Sequence, residues 1–224
     1  MERGPAGAAP RWRAAVGRGD RPHPATPPSD THFRDLSPYA DEDPAVVGPW
    51  LVEGAAELAG VLGDAGPAAR VWTPLGPSSP AFFARRFAHE TLVHRADAAL
   101  ALGVDVAVPP EVAVDALDEW MELGALPQMF DFHPHRRELL GPGRTLHLHA
   151  TDTPAELGAE WVVDLTGDLI AWRRAHEKAA VAVRGPLTNL LLLVYGRLSV
   201  DTAGVEVLGD AKLLDFWLER VAFG

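Results

Sequence analysis

Cysteine is absent from the whole chain of 224 residues. That excludes disulfides, thiolate-bound zinc and a cysteine nucleophile, so any thiol chemistry has to come from a bound cofactor. Positive charge is in deficit: 20 Lys and Arg face 31 Asp and Glu, for a formal charge of -11. Such a surface repels a phosphate backbone, and nucleic acid is a poor partner. No apolar run reaches the roughly 18 residues needed to span a bilayer; the most apolar window, "LLLLVYG" from Leu190 to Gly196, is short. The opening "MERGPAGAAPRWRAAVGRGD" lacks the apolar centre of a signal peptide. These absences predict a cytoplasmic protein with no membrane partner. What is present is apolar content of 47%, ample for a core.

Residues 1–38, rich in Arg, Gly, Pro and Ala and including "RPHPATPPSD", show no periodicity and are expected to be disordered or atypical. From Pro49 onward Trp50, Leu51, Ala55, Leu58, Ala59 and Leu62 recur at helical spacing, with Gly63 and Gly66 closing the helix. A further helix is announced by Ser79 as cap and Pro80 in the first turn, ending near Gly103. Another runs from Pro109 or Pro110, with Glu111 at its positive end, to Gly124. Beyond "DFHPHRRELLGPG" the period falls to two. "RTLHLHA", "EWVVDL", "LIAWRR" and "KAAVAVRG" predict an antiparallel sheet; "PLTNLLLLVYGRL" returns to helix, "VEVLG" is a last strand and "AKLLDFWLERV" a closing helix. The expected organisation is a helical domain over 39–140 and an α+β domain over 141–224.

"AHETLVHRADA", residues 88–98, nearly spells the zinc-protease signature H-E-x-x-H. His89 and His94 are five apart, however, so on a helix they diverge by about 140° and one ion cannot be held by both. Glu90 and His94 are four apart and share a stripe with Asp97. A carboxylate and an imidazole at that spacing are suitable ligands for zinc and similar ions, with Asp97 placed to orient His94. The same spacing also suits an ordinary surface pair, and Arg86 stands four residues before Glu90.

"RRFAHETLVHRADAALALG", the helices around it, and "VRGPLTNLLLLVYGRL" followed by "VEVLGDAKLLDFWLERVAFG" resemble the mycothiol-dependent maleylpyruvate isomerase family across about residues 45–224. The resemblance implies an α+β chain. Its first half would be a DinB-like metal-binding helical bundle, its second a small antiparallel-sheet domain resembling sterol-carrier-like folds. It also implies that Glu90 and His94 supply two metal ligands, with zinc the expected ion and a third ligand from a histidine on an earlier helix. The family's "W-x-x-x-x-L-x-x-H-L" phrase does not occur upstream of Pro49, where His23 and His32 are the histidines. The bundle is therefore expected to be incomplete at its amino end.

The cofactor implied is mycothiol, the small thiol of actinobacteria, acting beside the metal. The expected function is isomerisation or thiol transfer on a small electrophilic or unsaturated acid substrate. Arg184, between a strand and a helix amino terminus, is the candidate anion partner, with Arg197 a weaker one; Arg184 equally suits a strand end in solvent. His147 and His149 alternate with Leu146 and Leu148 and share one side of a strand, which is also a metal-ligand arrangement; they are assigned to a polar sheet face, because no carboxylate motif accompanies them. His133 and His135 are assigned to a linker and His176 to a turn. Two other functions fit the same sequence: a non-catalytic binder of lipid or small molecules with a degenerate metal site, and a DinB-type hydrolase using metal-bound water.

Overall fold

The computed structural model describes residues 43–221, so the segment 1–38 with His23 and His32 lies outside the described residues. The chain divides into two compact units that meet between Ala88 and His89. In the first, α1 (Pro44–Ala65) is capped by Asp43, whose Oδ1 accepts from the Ala45 amide at 2.8 Å. The following loop is pinned by a bridge between Val71 and Ser78. Buried Thr73 reinforces it, its hydroxyl accepting from the Leu75 amide at 3.2 Å and donating to the Gly76 carbonyl at 2.5 Å. Ser79 Oγ then accepts from the Ala81 amide at 3.3 Å and starts α2 (Ala81–Ala101), the role its position predicts.

The second unit takes the remainder of α2, α3 (Pro110–Gly124), the short α4 (Met129–Phe132), a 3-10 segment (Pro134–Leu139), five strands and two further helices. These elements are β1 (Thr145–Ala150), β2 (Glu160–Asp164), β3 (Ala171–Arg173), β4 (Val181–Gly185), α5 (Leu187–Val194), β5 (Glu206–Gly209) and α6 (Ala211–Val221). Strand order is β3-β2-β1-β4-β5. The α+β class is as expected, but the sheet is mixed: β1 and β4 are parallel, with Leu148 beside Val183, while the other pairs are antiparallel. The β2–β3 hairpin occupies one edge of β1, and β4 crosses to the other edge, covering hydrogen-bonding groups that would otherwise be left open. Alternation is the same for either direction, which is why periodicity alone could not give the pairing.

One face of this sheet is dry. Leu146, Leu148, Trp161, Val163, Val181 and Val183 are all at most 2% exposed. They belong to one core with Leu117, Trp120, Leu190, Leu191 and Trp217, from α3, α5 and α6. Trp120 meets Trp217 edge-on, with ring centroids 5.4 Å apart. Buried Arg136 ties the 3-10 segment to the end of α6, donating to the Arg220 and Val221 carbonyls at 3.2 and 3.1 Å. A guanidinium there satisfies carbonyls that the helix cannot and meets the negative end of its dipole. Gly209 is required by backbone: its φ is +94°, and a Cβ would lie 2.3 Å from the Ala180 carbonyl oxygen.

Candidate functional site

The near-protease motif on α2 separates as helical geometry requires. His89 is buried and packs toward α3, where its Nδ1 lies 2.7 Å from Glu119 Oε2 and its Nε2 lies 3.0 Å from Asp115 Oδ2. Those two carboxylates are four residues apart on α3, so both ring nitrogens are engaged by one helix face. His89 is a staple between helices. His94 points the other way and is 66% exposed.

On that open face His94 Nε2 lies 3.4 Å from Glu90 Oε2. The opposite ring nitrogen, Nδ1, is 3.0 Å from Asp97 Oδ2. Asp97 in turn accepts from Arg197, Nε to Oδ1 at 2.9 Å and Nη2 to Oδ2 at 3.2 Å. Arg197 donates through Nη1 to the Tyr195 carbonyl at 2.7 Å. The guanidinium holds the Asp97 carboxyl below the ordinary carboxylate value, outweighing an opposing push from partial burial, with a smaller contribution from His94. The result is a backbone-anchored relay that sets the His94 ring and leaves Nε2 on the Glu90 side. A histidine with its far nitrogen tied to a carboxylate is the common form of a metal-ligating histidine, so the donor set at Glu90 and His94 fits a divalent ion with two ligands. Arg197, a candidate anion partner by sequence, is occupied with Asp97.

Arg184 lies at the end of β4, opposite Glu206 in the β4–β5 ladder, and pairs with it at 3.3 Å between exposed side chains. The neighbouring amino terminus of α5 is served by Asp152, whose Oδ1 accepts from the Leu187 amide at 2.8 Å.

A second constellation stands on the polar face of the sheet, where sequence reasoning assigned no chemistry. His147 and His149 of β1 share a face, and Glu160 of β2 is directly opposite His149. His176, from the β3–β4 connection, comes over the same spot. Three ring nitrogens converge on Glu160 Oε2: His147 Nε2 at 2.8 Å, His149 Nδ1 at 3.3 Å and His176 Nδ1 at 2.6 Å. Burial pushes the His147 pKa below the ordinary histidine value despite the opposing pull of Glu160. Partial burial raises the Glu160 pKa, but hydrogen bonds from His176 and His147 outweigh it and leave the group below the ordinary value. The run "RTLHLHAT" contains no carboxylate, and nearby Asp152 serves the Leu187 amide; the signal is in the strand register, which puts Glu160 across from His149.

Comparison with known proteins agrees with this architecture of helices followed by a mixed sheet. The mycothiol maleylpyruvate isomerase N-terminal domain matches residues 3–99, and the MDMPI C-terminal domain matches residues 111–216. The chain thus has the two-domain α+β build of a small-molecule enzyme family. It belongs to the mycothiol maleylpyruvate isomerase family. Residues 3–42 of the first match lie outside the described residues. No curated protein matches the chain. Among solved structures, an inverting sec-alkylsulfatase from Pseudomonas sp. aligns at 19% identity with a TM-score of 0.35, over 53% of this chain and 17% of that one. A double mutant of a sec-alkyl sulfatase aligns at 22% identity with a TM-score of 0.32, over 44% of this chain and 17% of the other. The chain spans about a sixth of those sulfatases, and likenesses this distant carry no argument. No helix among the described residues is long and apolar enough to cross a membrane.

Proposed function

We propose that this chain is a metal-dependent, mycothiol-using isomerase or thiol transferase acting on a small electrophilic or unsaturated acid. The observation that carries this reading is the run of contacts from the Tyr195 carbonyl through Arg197 and Asp97 to His94 Nδ1, which orients Nε2 beside Glu90. Glu90 and His94 are the side chains that would hold the ion. A divalent ion held by Glu90 and His94 would acidify a coordinated thiol, so that mycothiol would be a thiolate at neutral pH. The absence of cysteine is consistent with a borrowed thiol.

This chain's own residues have defined tasks in that chemistry. Asp97, 3.0 Å from His94 Nδ1, orients the ring so that Nε2 faces the ion. Arg197 keeps Asp97 ionised and in place. Arg184 is the proposed partner for the carboxylate of an acid substrate; it stands beside His149 on the polar face of the sheet, and its exposed pair with Glu206 is worth about 0–1 kcal/mol and is readily exchanged. The test is metal analysis of untagged wild type, Glu90→Ala and His94→Ala after dialysis. Each variant should lose one equivalent of metal relative to wild type, and equal metal content in all three would sink the assignment.

A further inference from the structure

We infer that His147, His149, Glu160 and His176 form a second metal site, a closed four-ligand site for zinc or a similar divalent transition ion. It ties the β3–β4 connection to the centre of the sheet. The site shares no residue with Glu90 and His94 and stands or falls independently of the function proposed above.

Four observations carry the inference. First, one ligand atom from each of the four residues lies within 4.8 Å of all the others. Ligands of a tetrahedral zinc ion, bonded at about 2.0–2.1 Å, stand roughly 3.3 Å apart. The three nitrogens are already 2.6–3.3 Å from Glu160 Oε2, so small side-chain rotations admit an ion. Second, the rings are mutually inclined at 59–86° with centroids 5.4–5.7 Å apart, facing a common point instead of stacking. Third, three imidazoles with one carboxylate are a donor set for zinc and its neighbours, whereas calcium and magnesium want oxygen. Fourth, the ligands come from three segments whose positions are fixed before any ion arrives. His147 is buried between Val162 and Ala182 on the adjoining strands.

The loop bearing His176 is held from both sides. Arg173 pairs with Glu177 across it, with Nε to Oε1 at 3.0 Å. Arg174 donates to Asp118 Oδ1 at 2.9 Å and to the Leu157 and Gly158 carbonyls at 3.0 and 2.9 Å. An ion binding here therefore has little chain left to order. Four protein ligands leave no position for substrate, the mark of a structural site.

The experiment is zinc titration by calorimetry of the untagged full chain carrying Glu90→Ala and His94→Ala, which removes the α2 donors. One equivalent of Zn²⁺ should bind, and loading should raise the melting temperature. Adding His176→Ala should weaken binding by at least about 10–100-fold, the loss seen when merely an outer partner of a metal site is removed. His176 is 75% exposed, so that change does not threaten the fold; His149→Asn serves as a second ligand removal. Absence of zinc uptake by the parent double variant, or unchanged uptake after either ligand removal, would overturn the site.

Discussion

Glu160 stands directly across the β1–β2 ladder from His149, with its Oε2 3.3 Å from His149 Nδ1. Strand register brings them together across ten intervening positions. The pair on α2 is assembled differently, since Glu90 and His94 meet because one helical turn separates them. The first arrangement gathers four donors; the second offers two on an exposed face. Catalytic zinc sites keep a coordination position open and structural ones do not.

On the proposed function Asp97 positions His94 for the ion, and its loss should be felt in metal binding more than in the fold. Asp97→Asn should lower zinc affinity at Glu90 and His94 by about 10–100-fold. Its effect on unfolding free energy should be about 1 kcal/mol, because Asn keeps an acceptor oxygen for half-buried Arg197. Zinc titration in a His176→Ala background, alongside urea unfolding, separates the two effects.

His89 and His94 should behave oppositely in stability measurements. Glu119→Leu leaves buried His89 Nδ1 without its carboxylate and should cost about 1–3 kcal/mol. His94→Ala, on the exposed face, should change stability by no more than about 0.5 kcal/mol. Urea midpoints of the two variants check the contrast, and a larger loss for His94→Ala would contradict it.

Arg136 should matter to the closing helix. Arg136→Leu removes the charged donors to the Arg220 and Val221 carbonyls and should cost about 1.5–3 kcal/mol. An unchanged denaturant slope with a lowered midpoint would locate the loss in stability alone.

The His133 ring gives stability a pH dependence of definite sign. Burial chiefly, then Arg136 and His135, hold its pKa below the ordinary 6.5. The unfolded chain therefore binds the proton first, and stability falls as pH drops from above 6.5 until the native ring also protonates. Unfolding of metal-free wild type and His133→Gln on either side of that value should show a shallower loss in the variant.

Much of this was legible in the sequence, for physical reasons. Ser79 and Pro80 announced α2, Pro110 and Gly124 bounded α3, and alternation in "RTLHLHA" gave β1 with Leu146 and Leu148 on the dry face. Helical spacing divided His89 from His94 without coordinates. Spacing along one segment says nothing about which segments meet. Hence the parallel β1–β4 pair is not legible in the alternation, and His147 and His149, which share a strand face by spacing, lack their partners His176 and Glu160 until the strands are paired. Arg197 was a candidate for substrate; its pairing with Asp97, one hundred residues away, is a tertiary fact.

The most direct test of the account is calorimetric titration of mycothiol into zinc-loaded wild type and into the Glu90→Ala/His94→Ala variant, followed by turnover assays with and without the thiol. The account predicts mycothiol binding to wild type, its loss in the variant, and turnover only when the thiol is present. Equal mycothiol binding by both proteins, or undiminished turnover without any thiol, would contradict it.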